Sequence, residues 1–87
     1  MGFSVYGIQN ITRKRIYIGH CEKLEERLRR HNTGGVKSTK SDGPWALVAL
    51  QVVGTRGEAR WIEYQLKRSR GRRKRWLQEY AVRRQVA

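Results

Sequence analysis

Apolar and polar positions alternate from Phe3 to Ile8, with Phe3, Val5 and Gly7 on one side and Ser4, Tyr6 and Ile8 on the other, which predicts a first strand. A polar stretch, Gln9 to Lys14, separates it from a second β-favouring run, Ile16, Tyr17 and Ile18, which Gly19 closes. The spacing predicts an antiparallel hairpin that brings Tyr6 near Tyr17. The period then changes. Leu24 and Leu28 lie one helical turn apart, and at about 100° per residue Arg27 and His31 fall on their side while Glu25, Glu26 and Arg29 fall opposite. Thr33 to Pro44, rich in Gly, Ser, Thr and Lys, reads as a loop. The most apolar run, Trp45 to Val53, reads as a central strand bounded by Pro44 and Gly54. Thr55 and Glu58 are spaced as a capping box and predict a helix from about Arg56, with Ala59, Ile62 and Leu66 as its buried stripe. Gly71 is expected to end or break that helix. Trp76, Leu77, Tyr80 and Val82 suggest a last short helix, with frayed residues after it.

Two features break this pattern. Arg27 and His31 point inward, so they line the seam between the first helix and the sheet, and a seam carrying a cation, an imidazole and a tyrosine could be a phosphate site. Taken singly, each has a plainer reading: a snorkelling arginine whose stem covers apolar area, and a histidine hydrogen-bonded at a helix end. Glu63 is the second feature. It lies four residues after Ala59, inside the buried stripe, and an unpaired carboxylate there is costly. Either a cation pairs with it or a metal binds it.

Composition narrows the partners. The 87 residues predict one small domain, residues 1–87, near the size at which a single core barely suffices. Lys and Arg number 20 against 7 Asp and Glu, a formal charge of +13, the footprint of a polyanion binder. From Lys67 the chain becomes a basic helical segment, KRSRGRRKR, readable as a solvated surface or one that faces nucleic acid. No stretch has the apolar and basic faces of an interfacial helix, and no apolar run has membrane-spanning length, so a membrane is set aside. With Cys21 as the one cysteine, neither an intrachain disulfide nor a disulfide-linked partner is expected, and a thiolate zinc site is disfavoured. No secretory leader is visible, and a reducing, cytoplasmic setting is the expectation.

Taken in order, Ser4-Val5-Tyr6, then Tyr17-Ile18-Gly19, then Arg27 ten positions after Tyr17, His31 and Asn32 beyond it, and Glu63 in a later helix after Glu58-Ala59 resemble the GIY-YIG nuclease superfamily. The chain is especially similar to its small stand-alone bacterial members. The likeness runs from about Ser4 to Lys67, and Lys37, Thr39 and Pro44-Trp45 also fit that subgroup. The first motif keeps only its tyrosine, Cys21 stands where the subgroup has threonine, and Ser38 where it often has an aromatic residue.

The resemblance implies a small α/β (α+β) domain: a three-stranded antiparallel sheet flanked by helices, in the order strand, strand, helix, strand, helix and a further helix. It also implies a metal-dependent endonuclease that hydrolyses phosphodiester bonds in DNA, structure-selective or weakly sequence-specific, with a place in DNA repair or recombination. Tyr6, Tyr17, Arg27, His31 and Glu63 would be the catalytic set, and Glu63 would hold one divalent cation, Mg²⁺ or Mn²⁺, because one carboxylate suits an ion that keeps several waters. Tyr6 as a base would need its phenolate stabilised by Arg27, His31 or the metal field, since a phenol's ordinary pKa is about 10. Tyr17 would bond the attacking water or the phosphate, and His31 would orient Tyr6 or contact the phosphate. Lys37 and Lys40 in the loop, and Lys67, Arg68, Arg70, Arg72, Arg73, Lys74 and Arg75 in the cationic run, are the candidate nucleic-acid contacts. A non-catalytic basic nucleic-acid-binding module and a structural ribonucleoprotein component remain alternatives. Glu63 discriminates among them, because a pure phosphate binder gains nothing from an acid in its basic seam.

Overall fold

A computed structural model of the chain describes residues 2–10, 12, 15–40 and 43–86. The turn expected over Gln9 to Lys14 and the loop expected over Thr33 to Pro44 include Ile11, Arg13, Lys14, Ser41 and Asp42, which lie outside the described residues, as do Met1 and Ala87. The elements follow as β1 (Phe3–Asn10), β2 (Ile16–Cys21), α1 (Leu24–Asn32), a 3₁₀ turn (Lys37–Thr39), β3 (Trp45–Val53), α2 (Arg56–Arg68), α3 (Arg70–Glu79) and β4 (Ala81–Val86). All paired strands are antiparallel, in the order β2-β1-β3-β4.

The alternation read from the sequence sorts the side chains onto two faces. Val5, Ile18, Ala49 and Val53 pack under Ala59 and Leu66 of α2 and Trp76 of α3. Tyr6, Ile8, Cys21, Trp45 and Leu47 pack with Leu28 of α1 on the other face. The pairing of β3 with β4 shifts register between Leu47 and Ala49, so Trp45 and Leu47 face α1 while Ala49 and Val53 face α2.

Two glycines are required where they stand. Tyr6 pairs with Gly19, and a Cβ at Gly19 would lie 2.6 Å from the Tyr6 hydroxyl and 2.7 Å from its Cζ, so only glycine lets the phenol lie against β2. At the end of α1, Gly34 takes a left-handed φ of 81°, and the Gly35 amide bonds the Arg30 carbonyl at 2.7 Å. This is a Schellman ending. It turns the chain back so that the 3₁₀ turn reaches His31.

Helix α2 starts where the sequence predicts, but it ends earlier than expected and α3 begins at Arg70, ahead of the expected Trp76. Thr55 Oγ1 accepts from the Glu58 amide at 3.1 Å, and α2 begins at Arg56. Its break falls at Ser69 and not at Gly71. Ser69 is extended, and its hydroxyl caps the Arg72 amide at 3.2 Å, so a serine able to cap wins over a glycine that α3 tolerates in its first turn.

The expected three-stranded sheet is also corrected: among the described residues it has four strands. Ala81–Val86, expected as helix end and frayed tail, forms β4. It closes the outer edge of β3, the Leu50 amide bonds the Tyr80 carbonyl at 3.0 Å, and Val82 packs on the Tyr6 side of the sheet. Backbone groups that β3 would otherwise expose are thereby paired.

Candidate active site

The inward face of α1 delivers two of the expected residues. His31 is 1% exposed and Tyr6 is fully buried, and the Tyr6 hydroxyl lies 2.9 Å from His31 Nε2. His31 Nδ1 lies 2.8 Å from Thr39 Oγ1, whose hydroxyl donates to the Val36 carbonyl at 3.2 Å. That last bond fixes the protons. A threonine hydroxyl has one hydrogen, so Thr39 donates to Val36 and accepts from His31 Nδ1–H. Nε2 is then the acceptor, and Tyr6 donates its proton to it. The Trp45 indole donates to the Thr39 carbonyl at 3.0 Å, and the Asn32 amide bonds the Trp45 backbone amide at 2.6 Å and carbonyl at 3.1 Å, which locks the turn in place.

The electrostatics agree with a neutral imidazole. Burial, followed by the charges of Arg27 and Arg30, pushes the His31 pKa down to about 4. Burial and the neighbouring Tyr17 push the Tyr6 phenol above its ordinary range, although a hydrogen bond and the charge of Arg27 pull against them. Tyr6 at rest is therefore a phenol and not a phenolate. The Tyr17 ring packs 4.9 Å from His31 and 6.3 Å from Tyr6, centroid to centroid. Arg27, half-buried, opens into a groove of about 310 Å³ between β2 and α1 that Arg30 and Arg56 also line.

Glu63 sits in a second cluster, on the α2 side of β2. Its Oε1 lies 2.6 Å from His20 Nδ1 and its Oε2 lies 2.9 Å from Lys67 Nζ. The cation the sequence called for is thus Lys67, one turn along the same helix. Burial raises the Glu63 pKa, but the hydrogen bonds from His20 and Lys67 and the charge of Lys67 outweigh it, and the net shift is downward. Lys67 also joins the clusters: its ammonium lies 5.3 Å over the Tyr17 ring. Contacts therefore run from Tyr6 through Tyr17 and Lys67 to Glu63 along the edge strand.

The other expected cations divide. Lys67, Arg70 and Arg73 line a cleft of about 460 Å³ with Ile16, Tyr17 and Ile18, where a phosphate chain could pass the Tyr17 ring. Arg68 stacks on Tyr64. Arg72 and Arg75 border a separate hollow with Gln51 and Glu79, Lys74 is exposed elsewhere on α3, and Lys37 and Lys40 are exposed beyond α1. Sequence reasoning missed His20 and the proton-fixing part of Thr39. Strand alternation places His20 opposite Tyr17, which was the available signal, but nothing local announces a partner 43 residues away.

Among the described residues, no group of three or more His, Cys, Asp or Glu side chains is placed to share a metal. One carboxylate, oriented by an imidazole and facing a cleft of about 270 Å³, still fits a single hard cation that keeps most of its water. Lys67, which holds the other carboxylate oxygen, has a side chain 47% exposed.

A family model described as the GIY-YIG catalytic domain matches residues 2–76. Among solved structures, the solution NMR structure of a UPF0213 protein from Bacillus halodurans is similar at 30% sequence identity and a TM-score of 0.53, covering 86% of this chain and 81% of that one. No curated protein matches the chain.

Proposed function

The chain belongs to the GIY-YIG family, whose catalytic domain is a nuclease domain, and from that premise we propose that it is a metal-dependent endonuclease acting on DNA, with Tyr6, Tyr17, Arg27, His31 and Glu63 as its site. The observation that carries the reading is the directed hydrogen-bond chain from Tyr6 through His31 to Thr39, with Arg27 hydrogen-bonded to Tyr6 at its start. Any buried phenol needs an acceptor for its proton, and here the acceptor is an imidazole that can itself take that proton, with a guanidinium beside it.

The chemistry follows from that direction. Because the Tyr6 proton points at His31 Nε2, its oxygen keeps two lone pairs: one accepts from Arg27, and the other serves an attacking water that enters with the substrate, since Tyr6 is fully buried at rest. As the water oxygen bonds to phosphorus, its proton passes to Tyr6 while Tyr6 passes its own to His31, so the phenol relays a proton without a free phenolate. The bond from phosphorus to the leaving oxygen breaks, and that oxygen leaves as an alkoxide to be protonated by solvent. Burial is the main cause of the low His31 pKa and the Arg27 charge adds to it, so a phosphate against Arg27 cancels part of that added effect and makes the imidazole a better proton acceptor once substrate is bound. Arg27 meets the charge that builds on the phosphoryl oxygens, a task suited to a planar guanidinium. Tyr17 and Lys67 flank the scissile phosphate. A divalent cation, Mg²⁺ or Mn²⁺, held by Glu63 and positioned through His20, would supply neutralisation of the phosphoryl and leaving oxygens.

The domain is read as the whole of residues 1–87, with Arg70 and Arg73 guiding the nucleic-acid backbone. Cleavage of labelled single-stranded, duplex and branched DNA with Mg²⁺, with Mn²⁺ and with chelator tests the proposal. Metal-dependent cleavage of at least one form is expected. Binding without cleavage of any form would leave the non-catalytic binding module in its place.

A further inference from the structure

We propose that the exposed face of α2 is a stacking platform for an unpaired nucleobase, so that the nucleic acid is engaged with a single-stranded segment beside Glu63. The inference rests on the nuclease reading for its partner and goes beyond it in naming the substrate class.

Trp61 and Tyr64 are 58% and 50% exposed, on the side of α2 turned away from the stripe of Ala59 and Leu66 that meets the sheet. Their rings stack at 17° with centroids 5.8 Å apart. Arg68 extends the stack, its guanidinium 5.2 Å over the Tyr64 ring with Nη1 donating to the hydroxyl at 2.6 Å. Large aromatic rings left in water on a helix this basic match what single-stranded nucleic acid requires: flat apolar surface for a base, with cations at its rim for the flanking phosphates.

Gly57 makes the berth. It lies one turn before Trp61, where a side chain would cover the ring, and a Cβ there would meet nothing within 4 Å. Glycine inside a helix costs stability relative to alanine, and here it leaves open a shallow hollow of about 420 Å³ lined by Gly57, Arg60, Trp61 and Tyr64. Tyr64 and Arg60 also line the cleft that holds Glu63 and His20. A base lying over Gly57 against Trp61 therefore places its strand within a helical turn of the carboxylate.

The other two tryptophans, Trp45 and Trp76, are buried, so a change in tryptophan emission reports on Trp61. The protein is titrated in chelator, at fixed physiological salt, into end-labelled single-stranded oligothymidylate and into a labelled abasic strand of equal length and charge, with affinity read from the anisotropy of the label and, for the wild type, tryptophan emission read alongside it. The base-bearing strand should quench the emission and bind roughly tenfold or more tightly than the abasic one. Trp61→Ala should erase the difference in affinity, and so should Gly57→Leu, whose Cβ meets nothing within 4 Å and whose longer side chain would cover the Trp61 ring; neither should alter binding to the abasic strand. Equal binding of the two strands by the wild type, or a Trp61→Ala protein that still prefers the base-bearing strand, overturns the proposal. So does a concentration-dependent dimer that Trp61→Ala dissolves without any change in oligonucleotide affinity. The titration contains no metal and reads no cleavage. A protein that stacks bases but never cleaves overturns the nuclease reading alone, and one that cleaves without preferring bases over abasic strand overturns the platform alone.

Discussion

The polar groups on the two sides of β2 are built on opposite principles. On the α1 side, Tyr6, His31 and Thr39 are buried, neutral and hydrogen-bonded to one another. On the α2 side, Glu63, His20 and Lys67 are partly exposed, with Glu63 hydrogen-bonded to His20 and ion-paired with Lys67. Burial makes the first cluster rigid and fixes each proton, because an unmatched donor or acceptor there has no water to turn to. Exposure leaves the second open to solvent, where Lys67 neutralises Glu63 in a partly screened ion pair. A phosphoryl-transfer site needs both properties, a proton path that does not wander and a carboxylate open to solvent. Each prediction below acts on one side of this contrast.

The largest effect is expected at Arg27, where the dry cluster meets the groove. Arg27→Ala should lower cleavage by roughly 10²-fold or more with the fold intact, the scale seen when one electrostatic stabiliser is removed. Arg27→Lys should recover only part of the loss, because an ammonium lacks the planar fork. Single-turnover rates at saturating DNA check both, and a folded Arg27→Ala protein with unchanged rates removes arginine from the mechanism.

The histidines provide the next contrast. His31→Ala strands the Tyr6 hydroxyl and the Thr39 oxygen in a dry site and opens a cavity, at a cost of about 2–4 kcal/mol. His20→Ala removes a partner from a group that water can reach and should cost no more than about 1 kcal/mol. Urea denaturation of the two variants side by side measures the difference, and equal losses would mean that the clusters are not physically distinct.

Acid should act on the dry cluster first. The His31 pKa is depressed to about 4 in the fold, against an ordinary value of about 6.5, so between those values the unfolded chain binds a proton that the folded chain refuses. Stability should therefore be complete above pH 6.5 and decline as pH falls toward 4, by about 2–3 kcal/mol from this group. Glu63, depressed in the fold, contributes stability that is lost only at still lower pH, as it protonates below the ordinary carboxylate range. Denaturation midpoints across this range should show the decline in the wild type and a flatter profile in His31→Gln.

The smallest effect is expected on the solvent-open side. Glu63→Gln keeps the shape but gives up the ion pair with Lys67, and because both groups are partly solvated its cost in stability should stay within about 1 kcal/mol.

What was legible in the sequence depended on whether the signal was local. The alternation around Tyr6 and Tyr17, the helical phase of Arg27 and His31, and the Thr55 cap are short-range patterns, and each reappears in the structure. Strand β4 was not legible, since Arg83 and Arg84 interrupt its apolar positions and its pairing with β3 is made by main chain that any residue supplies. Gly71 was a misleading breaker because the cap that ends α2 is made by Ser69. The Glu63 problem was visible as a carboxylate in an apolar stripe, and Lys67 at the next turn was a readable answer to half of it. His20, the other half, becomes visible only when β2 and α2 are brought together.

The most direct test of the account is the cleavage rate of DNA at saturating concentration, with Mg²⁺ or Mn²⁺, for wild type, Tyr6→Phe and Glu63→Gln, each with its DNA affinity measured in chelator. The account predicts metal-dependent cleavage by the wild type, a loss of roughly 10²-fold or more in each variant, and affinities within a few-fold of one another. A wild type indifferent to metal, or a folded Glu63→Gln protein cleaving at the wild-type rate, would contradict it.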